Sequence, residues 1–165
     1  MGRYAAYERF LRTAAIDQTT AAGPSSQHVF FKPGGLTAGA SRKAEAYNLE
    51  IAGYRFDRLL SADLVPPTVE VDANGGRAAI QLWVENARPL TQVRSENLLP
   101  PDVAKWQAQL QRAYAFEDLV ADLDEHEGSP IVDPHWNLIV LDHSHGFTNT
   151  LVLRYEVGPN QVFTR

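Results

Sequence analysis

The sequence predicts an α+β fold built from two small lobes, and three observations support this. Two pairs of short apolar runs, each joined by turn-forming residues, predict antiparallel hairpins at residues 68–84 and 130–141. Apolar side chains at helical spacing predict helices over residues 41–60 and from residue 101 onward. Residues 85–100 are polar and punctuated by proline, so they are expected to link the two lobes.

Length and composition agree with this division. The chain has 165 residues, which suits one domain or two small lobes that share a cleft. We place an N-terminal lobe of a small antiparallel sheet plus helices at residues 1–86, and a short helical C-terminal lobe with a hairpin at residues 87–165. Hydrophobic residues make up 44% of the chain, enough to form a packed core.

Charge and residue content restrict the classes of function. The net charge of −5 argues against binding to nucleic acid or to an anionic membrane surface. The absence of cysteine excludes disulfides, thiolate metal sites and a cysteine nucleophile. No apolar run approaches the roughly 18 residues of a membrane span, and residues 1–15 lack the apolar region of a signal peptide. A cytoplasmic protein is therefore expected.

In the N-terminal lobe, residues 3–15 predict a short amphipathic helix. The β-prone residues 28–31 predict a strand that ends at Lys32, before a proline and two glycines. Ser41 is expected to cap the helix that follows.

Glu50 is a carboxylate inside the apolar stripe of that helix, beside Tyr47, Ile51 and Tyr54. Two interpretations are open. Glu50 lies at the rim and reaches solvent, as charged side chains usually do, or it meets a buried cation, for which Lys32 is the nearest upstream candidate.

In the C-terminal lobe, Pro101 is expected to open a helix, because proline is favoured in a first turn. Its apolar stripe runs from Val103 to Ala113 and then continues on a shifted face, which predicts a bend or a second helix near residues 112–115. The protein's tryptophans, Trp83, Trp106 and Trp136, are expected to pack in the core or between the lobes rather than to stack on a ligand.

The helix leads into an acidic loop, a hairpin and Asp142 at the hairpin exit. A loop aspartate and a strand-end aspartate brought together by a hairpin can hold a divalent cation and a phosphate, because magnesium prefers hard oxygen ligands. This stretch, DLDEHEGSPIVDPHWNLIVLDHSHGF, is the part of the sequence richest in candidate site residues.

Three segments carry a resemblance: EIAGYRFDRLLSADLVPPTVE at residues 50–70, IQLWVE at residues 80–85, and the acidic stretch just quoted. Their order resembles a protein-kinase-like fold over residues 28–147, closest to the bacterial atypical kinases related to phosphoinositide kinases. The resemblance implies a two-lobed kinase-like fold with a reduced N-terminal sheet. It also implies an ATP- and magnesium-dependent phosphotransferase whose nucleotide binds between the lobes.

The resemblance implies roles for particular residues. Lys32 would contact the nucleotide phosphates and Glu50 would fix its position. Asp142 would bind the magnesium ion that bridges the phosphates, with Ser129 as a second metal ligand. Asp124 would orient or deprotonate the acceptor hydroxyl. The acceptor stays open among a lipid headgroup, a protein hydroxyl and a small metabolite.

His126 lies in the same loop as Asp124, where it either orders the loop or takes part in the chemistry. The sequence also departs from the family pattern. Glu125 stands where the family has arginine, Ser129 stands where it has asparagine, and residues 16–27 offer no glycine-rich hairpin. These departures favour an alternative, a weak or inactive pseudokinase that binds a nucleotide or a partner. A protein partner is expected to complete the short C-terminal lobe.

A third hypothesis is a zinc or iron site. If the chain is extended there, His143 and His145 share one face. Histidines in loops are otherwise surface groups. The candidate ligands are Asp124, His126, His135, Asp142, His143 and His145.

Overall fold

The computed structural model describes residues 29–33, 46–73, 76–121 and 130–147. Within them the chain is α+β, as expected, with small antiparallel sheets and few helices. It divides into two compact units, Met1–Val84 and Glu85–Arg165. The elements in chain order are β1 (Val29–Pro33), α1 (Ala46–Leu60), β2 (Thr68–Ala73), β3 (Gly76–Leu82), β4 (Arg88–Pro89), α2 (Leu90–Ser95), α3 (Val103–Val120), β5 (Pro130–Val132) and β6 (Leu138–Val140).

The first unit contains an antiparallel sheet in the order β1-β3-β2. The predicted hairpin is present as β2 and β3, although its tip at residues 74–75 lies outside the described residues. Lys32 is the penultimate residue of β1, near the strand end where the sequence predicts it, and it is paired with Ala79 of β3. An apolar cluster covers one side of the sheet; it consists of Val69, Val71, Ala78 and Leu82, with Ile80 packed against it.

Helix α1 packs against β2 and β3. Its buried stripe includes Glu50, Ile51 and Tyr54, as the helical spacing predicts, and extends one further turn to Asp57. The Asp57 carboxylate is 1% exposed and accepts a hydrogen bond from the backbone nitrogen of Leu64 at 2.8 Å. Asp57 therefore ties the end of α1 to the loop that leads into β2.

The expected linker between the lobes is wrong in part. Residues 85–100 contain β4 and α2, and β4 forms the edge of a second sheet in the order β4-β5-β6. Leu90 and Val93 of α2 are each 5% exposed. Two buried apolar side chains are enough to fix this short helix, even though its neighbours in the sequence are polar.

Helix α3 corrects two further expectations. Its N-cap is Asp102, whose side chain accepts from the Lys105 backbone nitrogen at 2.9 Å, so Pro101 lies outside the helix. The helix then runs without interruption to Val120, so no second helix begins near residues 112–115. The buried stripe is continuous because a glutamine belongs to it; its members are Gln109, Ala113, Phe116 and Val120, whereas Val103 and Leu119 are exposed.

The second predicted hairpin is confirmed as β5 and β6, and its turn is strongly hydrogen-bonded. Asp133 Oδ1 accepts from the backbone nitrogens of His135 and Asn137 at 2.9 and 2.8 Å, and Oδ2 accepts from the Asn137 side chain at 2.7 Å. Buried Gln109 donates to the Trp136 carbonyl at 2.9 Å and accepts from the Leu138 backbone nitrogen at 3.0 Å. The glutamine thus fastens the turn to α3.

None of the three tryptophans is a fully buried core residue. Trp83 is 50% exposed at the end of β3. Trp106 and Trp136 are half-buried and meet edge to face, with ring centroids 5.5 Å apart.

The expectations for residues 3–15 and 41–45 concern positions outside the described residues. Of the helices in the described part of the chain, none combines the length and the apolar character needed to cross a membrane.

Candidate functional site

The structure brings Lys32 and Glu50 together. Lys32 Nζ lies 2.6 Å from Glu50 Oε1, which is both a hydrogen bond and an ion pair. The Glu50 side chain is 5% exposed and that of Lys32 is 23% exposed. The interpretation of Glu50 as a solvent-exposed rim residue is therefore wrong, and its pairing with Lys32 is confirmed.

The position of this pair follows from the secondary structure on each side. Lys32 is held by the ladder between β1 and β3, and Glu50 lies on the buried stripe of α1, one turn before Tyr54. A buried carboxylate is costly unless it is paired. The ammonium group of Lys32 offsets that cost for Glu50. Glu50 in turn fixes the orientation of this partly exposed ammonium group. The arrangement presents one positive charge at a defined place, which is what binding of an anionic group requires.

Asp142 lies two residues after β6 and is exposed. Its backbone has φ 59°, in the left-handed region that aspartate tolerates better than most residues. Ser144 donates to Asp142 Oδ1 through its hydroxyl at 2.5 Å, and the Ser144 backbone nitrogen lies 3.4 Å from the same oxygen. Ser144 therefore restrains the orientation of the carboxylate that the resemblance assigns to the metal.

The segment after Asp142 is attached to α3. His143 is 1% exposed, and its ring meets Phe116 with centroids 5.6 Å apart. Farther along, the Phe147 backbone nitrogen donates to the Val120 carbonyl. These contacts fix the backbone on both sides of the turn at residues 144–145.

His143 and His145 do not share a face, so this part of the third hypothesis is wrong. The strand ends at Val140, and a turn closed by the Gly146 nitrogen on the His143 carbonyl at 3.0 Å reverses the chain. His143 consequently points into the unit whereas His145 is exposed. Across the described ranges, no group of three or more histidine, aspartate or glutamate side chains is arranged to hold a metal ion.

The remaining candidates, Asp124, His126 and Ser129, fall in residues 122–129 and lie outside the described residues, as does Glu125. Their roles stay predictions.

Two polar residues with defined hydrogen bonds in the structure, Asp57 and Ser144, are not among the candidates that the sequence predicts. Asp57 is a second buried carboxylate on the helix of Glu50; burial raises its pKa, and hydrogen bonds from the backbone nitrogens of Leu64 and Val65 act in the opposite direction. In the sequence, Asp57 can be recognised by its spacing of seven residues from Glu50, which places both carboxylates on one face of the helix. Ser144 carried a weaker signal, a hydroxyl two residues after an aspartate, which is a common turn arrangement.

Comparisons with other proteins assign no family to this chain: no protein-family model matches the sequence, and no curated protein is significantly similar to it.

Proposed function

We propose that this protein is an ATP- and magnesium-dependent phosphotransferase with a kinase-like fold of the phosphoinositide-kinase type. One observation carries the proposal, the 2.6 Å ion pair between Lys32 on a sheet strand and buried Glu50 on the following helix. The order of elements also supports it: a strand with a lysine, a helix with an inward glutamate, a hairpin, a helix, a second hairpin and an aspartate. This is the order that the resemblance implies.

The chemistry requires little covalent participation by the protein. Phosphoryl transfer depends mainly on positioned positive charge and on an acceptor held in line with the leaving group. Lys32 supplies such a charge, and Glu50 holds it in place so that it need not reorganise during the reaction. A lysine left mobile at the surface would contribute less, because its charge would have to be ordered when the nucleotide binds.

Asp142 is the residue proposed to hold magnesium. Its carboxylate is a hard oxygen donor, it is exposed, and Ser144 restrains it, so its chemistry fits that cation. Ser129 would be the second ligand. When bound, magnesium neutralises charge on the phosphate oxygens.

On the acceptor side, Asp124 would orient or deprotonate the hydroxyl that receives the phosphoryl group, and His126 would support the same loop. The class of acceptor remains open, because a fold does not determine a substrate.

The direct test is ATP turnover with and without magnesium, across lipid, protein and small-molecule hydroxyl acceptors. We expect turnover that depends on magnesium and falls by at least roughly a hundredfold in Asp142→Asn. Asp102→Asn is the matched control, because it makes the same chemical change in the same unit and asparagine also caps a helix well. Equal rates in wild type and Asp142→Asn would refute a phosphotransferase that uses Asp142.

The alternative is a pseudokinase that retains nucleotide binding. Glu125 and Ser129, as they stand in the sequence, favour it, since they replace residues that the family uses for catalysis. Under this alternative, ATP raises the unfolding midpoint of the protein, as any ligand specific for the folded state must, but no acceptor is phosphorylated. No change in midpoint at millimolar ATP and magnesium would leave neither form of the proposal standing.

A further inference from the structure

A pocket of about 640 Å³ lies within the second unit. This volume is in the range that holds small organic ligands. Val93 and Val132 are buried side chains that line it, and Trp136, Asn86 and Arg88 line it as well. Lys32, Glu50 and Asp142 do not contribute to it. The pocket therefore combines apolar lining with one aromatic ring, the Arg88 cation and the Asp133 carboxylate.

Trp136 is held in an unfavourable backbone conformation at this pocket. Its φ is 60°, in the left-handed region, which is uncommon for a bulky side chain. The surrounding turn enforces this: the Trp136 nitrogen donates to the Asp133 carbonyl at 3.0 Å, and Gln109 donates to the Trp136 carbonyl at 2.9 Å. Edge-to-face packing on Trp106 restrains the ring. The indole is therefore held in one place at the wall of the pocket, where a ligand can pack against it with little reordering.

The charges around the pocket favour an anion. Arg88 is half exposed and forms an exposed ion pair with Glu96 at 3.5 Å, an arrangement that holds a guanidinium weakly. Glu96 also accepts from Gln92 at 2.7 Å. The other charged group at the pocket, the Asp133 carboxylate, accepts three hydrogen bonds inside its own turn. Those bonds offset the negative charge of Asp133. Arg88 is therefore the charged group of the pocket with which an anionic ligand can form an ion pair.

We propose that this pocket binds a small planar aromatic molecule that carries one anionic group such as a carboxylate. The ring packs on the valine side chains and against Trp136, and the carboxylate takes hydrogen bonds from Arg88. The turn is already fixed by Asp133 and Gln109, so little ordering is needed on binding. The inference goes beyond the phosphotransferase proposal and does not depend on it.

Two matched probes test the ligand class on the unmodified protein. Naphthoate has the ring and the charge, and naphthalenemethanol has the ring alone. In heteronuclear NMR titrations we expect naphthoate to shift the backbone amides of Asn86, Leu98 and Val132 in a saturable manner. The neutral probe should bind roughly tenfold more weakly, the value of one charge-assisted hydrogen bond. Equal affinities would overturn the role of the cation, and shifts absent from these amides would overturn the site.

Variants assign the interaction to residues. Arg88→Gln should reduce naphthoate affinity to that of the neutral probe, whereas Arg94→Gln, which removes an arginine that contacts Tyr114 instead, should not. Trp136→Gly removes the aromatic wall while providing the residue best suited to positive φ, and it should lower the affinity for both probes. Unchanged naphthoate affinity in either Arg88→Gln or Trp136→Gly would contradict the proposal.

Discussion

The Lys32–Glu50 pair leads to a quantitative prediction about the stability of the first unit. At 2.6 Å and an effective dielectric constant of about 20, the Coulomb attraction between the two charges is about 6 kcal/mol. Desolvation of nearly buried Glu50 offsets much of this attraction. Because the Lys32 side chain is still 23% exposed, we expect a net coupling free energy of about 1.5–3 kcal/mol.

The measurement is a double-mutant cycle on the free energy of unfolding, with Lys32→Met, Glu50→Leu and the double variant. Lys32→Met alone should cost about 2–4 kcal/mol, because it leaves a carboxylate buried without its ammonium partner. The double variant should recover most of that loss, since two apolar side chains then pack where two charges met. Replacing one partner is thus expected to be worse than replacing both.

Urea unfolding at neutral pH is a suitable assay. Trp83 is in the first unit, whereas Trp106 and Trp136 are in the second, so Trp83 fluorescence reports on the unit that contains the pair. Additive effects, with a coupling below about 0.3 kcal/mol, would refute the claim that these two charges depend on each other.

Three further predictions concern polar and backbone features of the fold. Burial raises the pKa of Asp57 above its usual 3.8, so the contribution of Asp57 to stability is fully present below pH 3.8 and is lost as pH rises through the folded-state pKa. In urea titrations, the free energy of unfolding of wild type should therefore increase relative to that of Asp57→Asn as pH falls from neutral. A difference between the two proteins that does not change with pH would contradict this. Gln109→Leu should cost about 2–4 kcal/mol in thermal unfolding, since it leaves the buried Leu138 nitrogen and the part-buried Trp136 carbonyl without their partner. A loss below about 0.5 kcal/mol would show that the bridge is dispensable. Ala121 is the C-cap of α3 and has φ 49°, a conformation that glycine adopts without strain. Ala121→Gly should therefore stabilise the protein by about 0.5 kcal/mol, whereas Ala108→Gly inside the helix should destabilise it by about 1 kcal/mol. A loss of stability in both variants would refute the strain at the cap.

The sequence predicted those elements whose signal is local. Alternation of side chains and turn-forming residues were sufficient for both hairpins, and helical spacing placed Glu50, Ile51 and Tyr54 on one face of α1. The choice between a rim position and an ion pair for Glu50 could not be made locally, because it depends on where β1 lies relative to α1. Only the tertiary structure brings Lys32 within 2.6 Å.

The incorrect expectations concern a position where a polar residue is buried in place of an apolar one, and a helix that two buried side chains are enough to stabilise. Gln109 belongs to the buried stripe of α3 because its amide satisfies two backbone groups of the hairpin turn. Apolar spacing alone changes face after Ala113, so the expectation of a bend or a second helix rests on a stripe that leaves Gln109 out. Residues 85–100 are predicted to form a linker because most of them are polar. This prediction overlooks Leu90 and Val93, whose burial fixes α2.

The most direct test of the central claim is a calorimetric comparison of ATP with adenosine, in the presence of magnesium, for wild type and Lys32→Met. If Lys32 is the phosphate ligand that Glu50 holds in place, wild type binds ATP at least roughly tenfold more tightly than adenosine. That preference should largely disappear in Lys32→Met, while adenosine affinity is unchanged. The same preference for ATP in both proteins, or no binding of ATP to wild type, would contradict the claim.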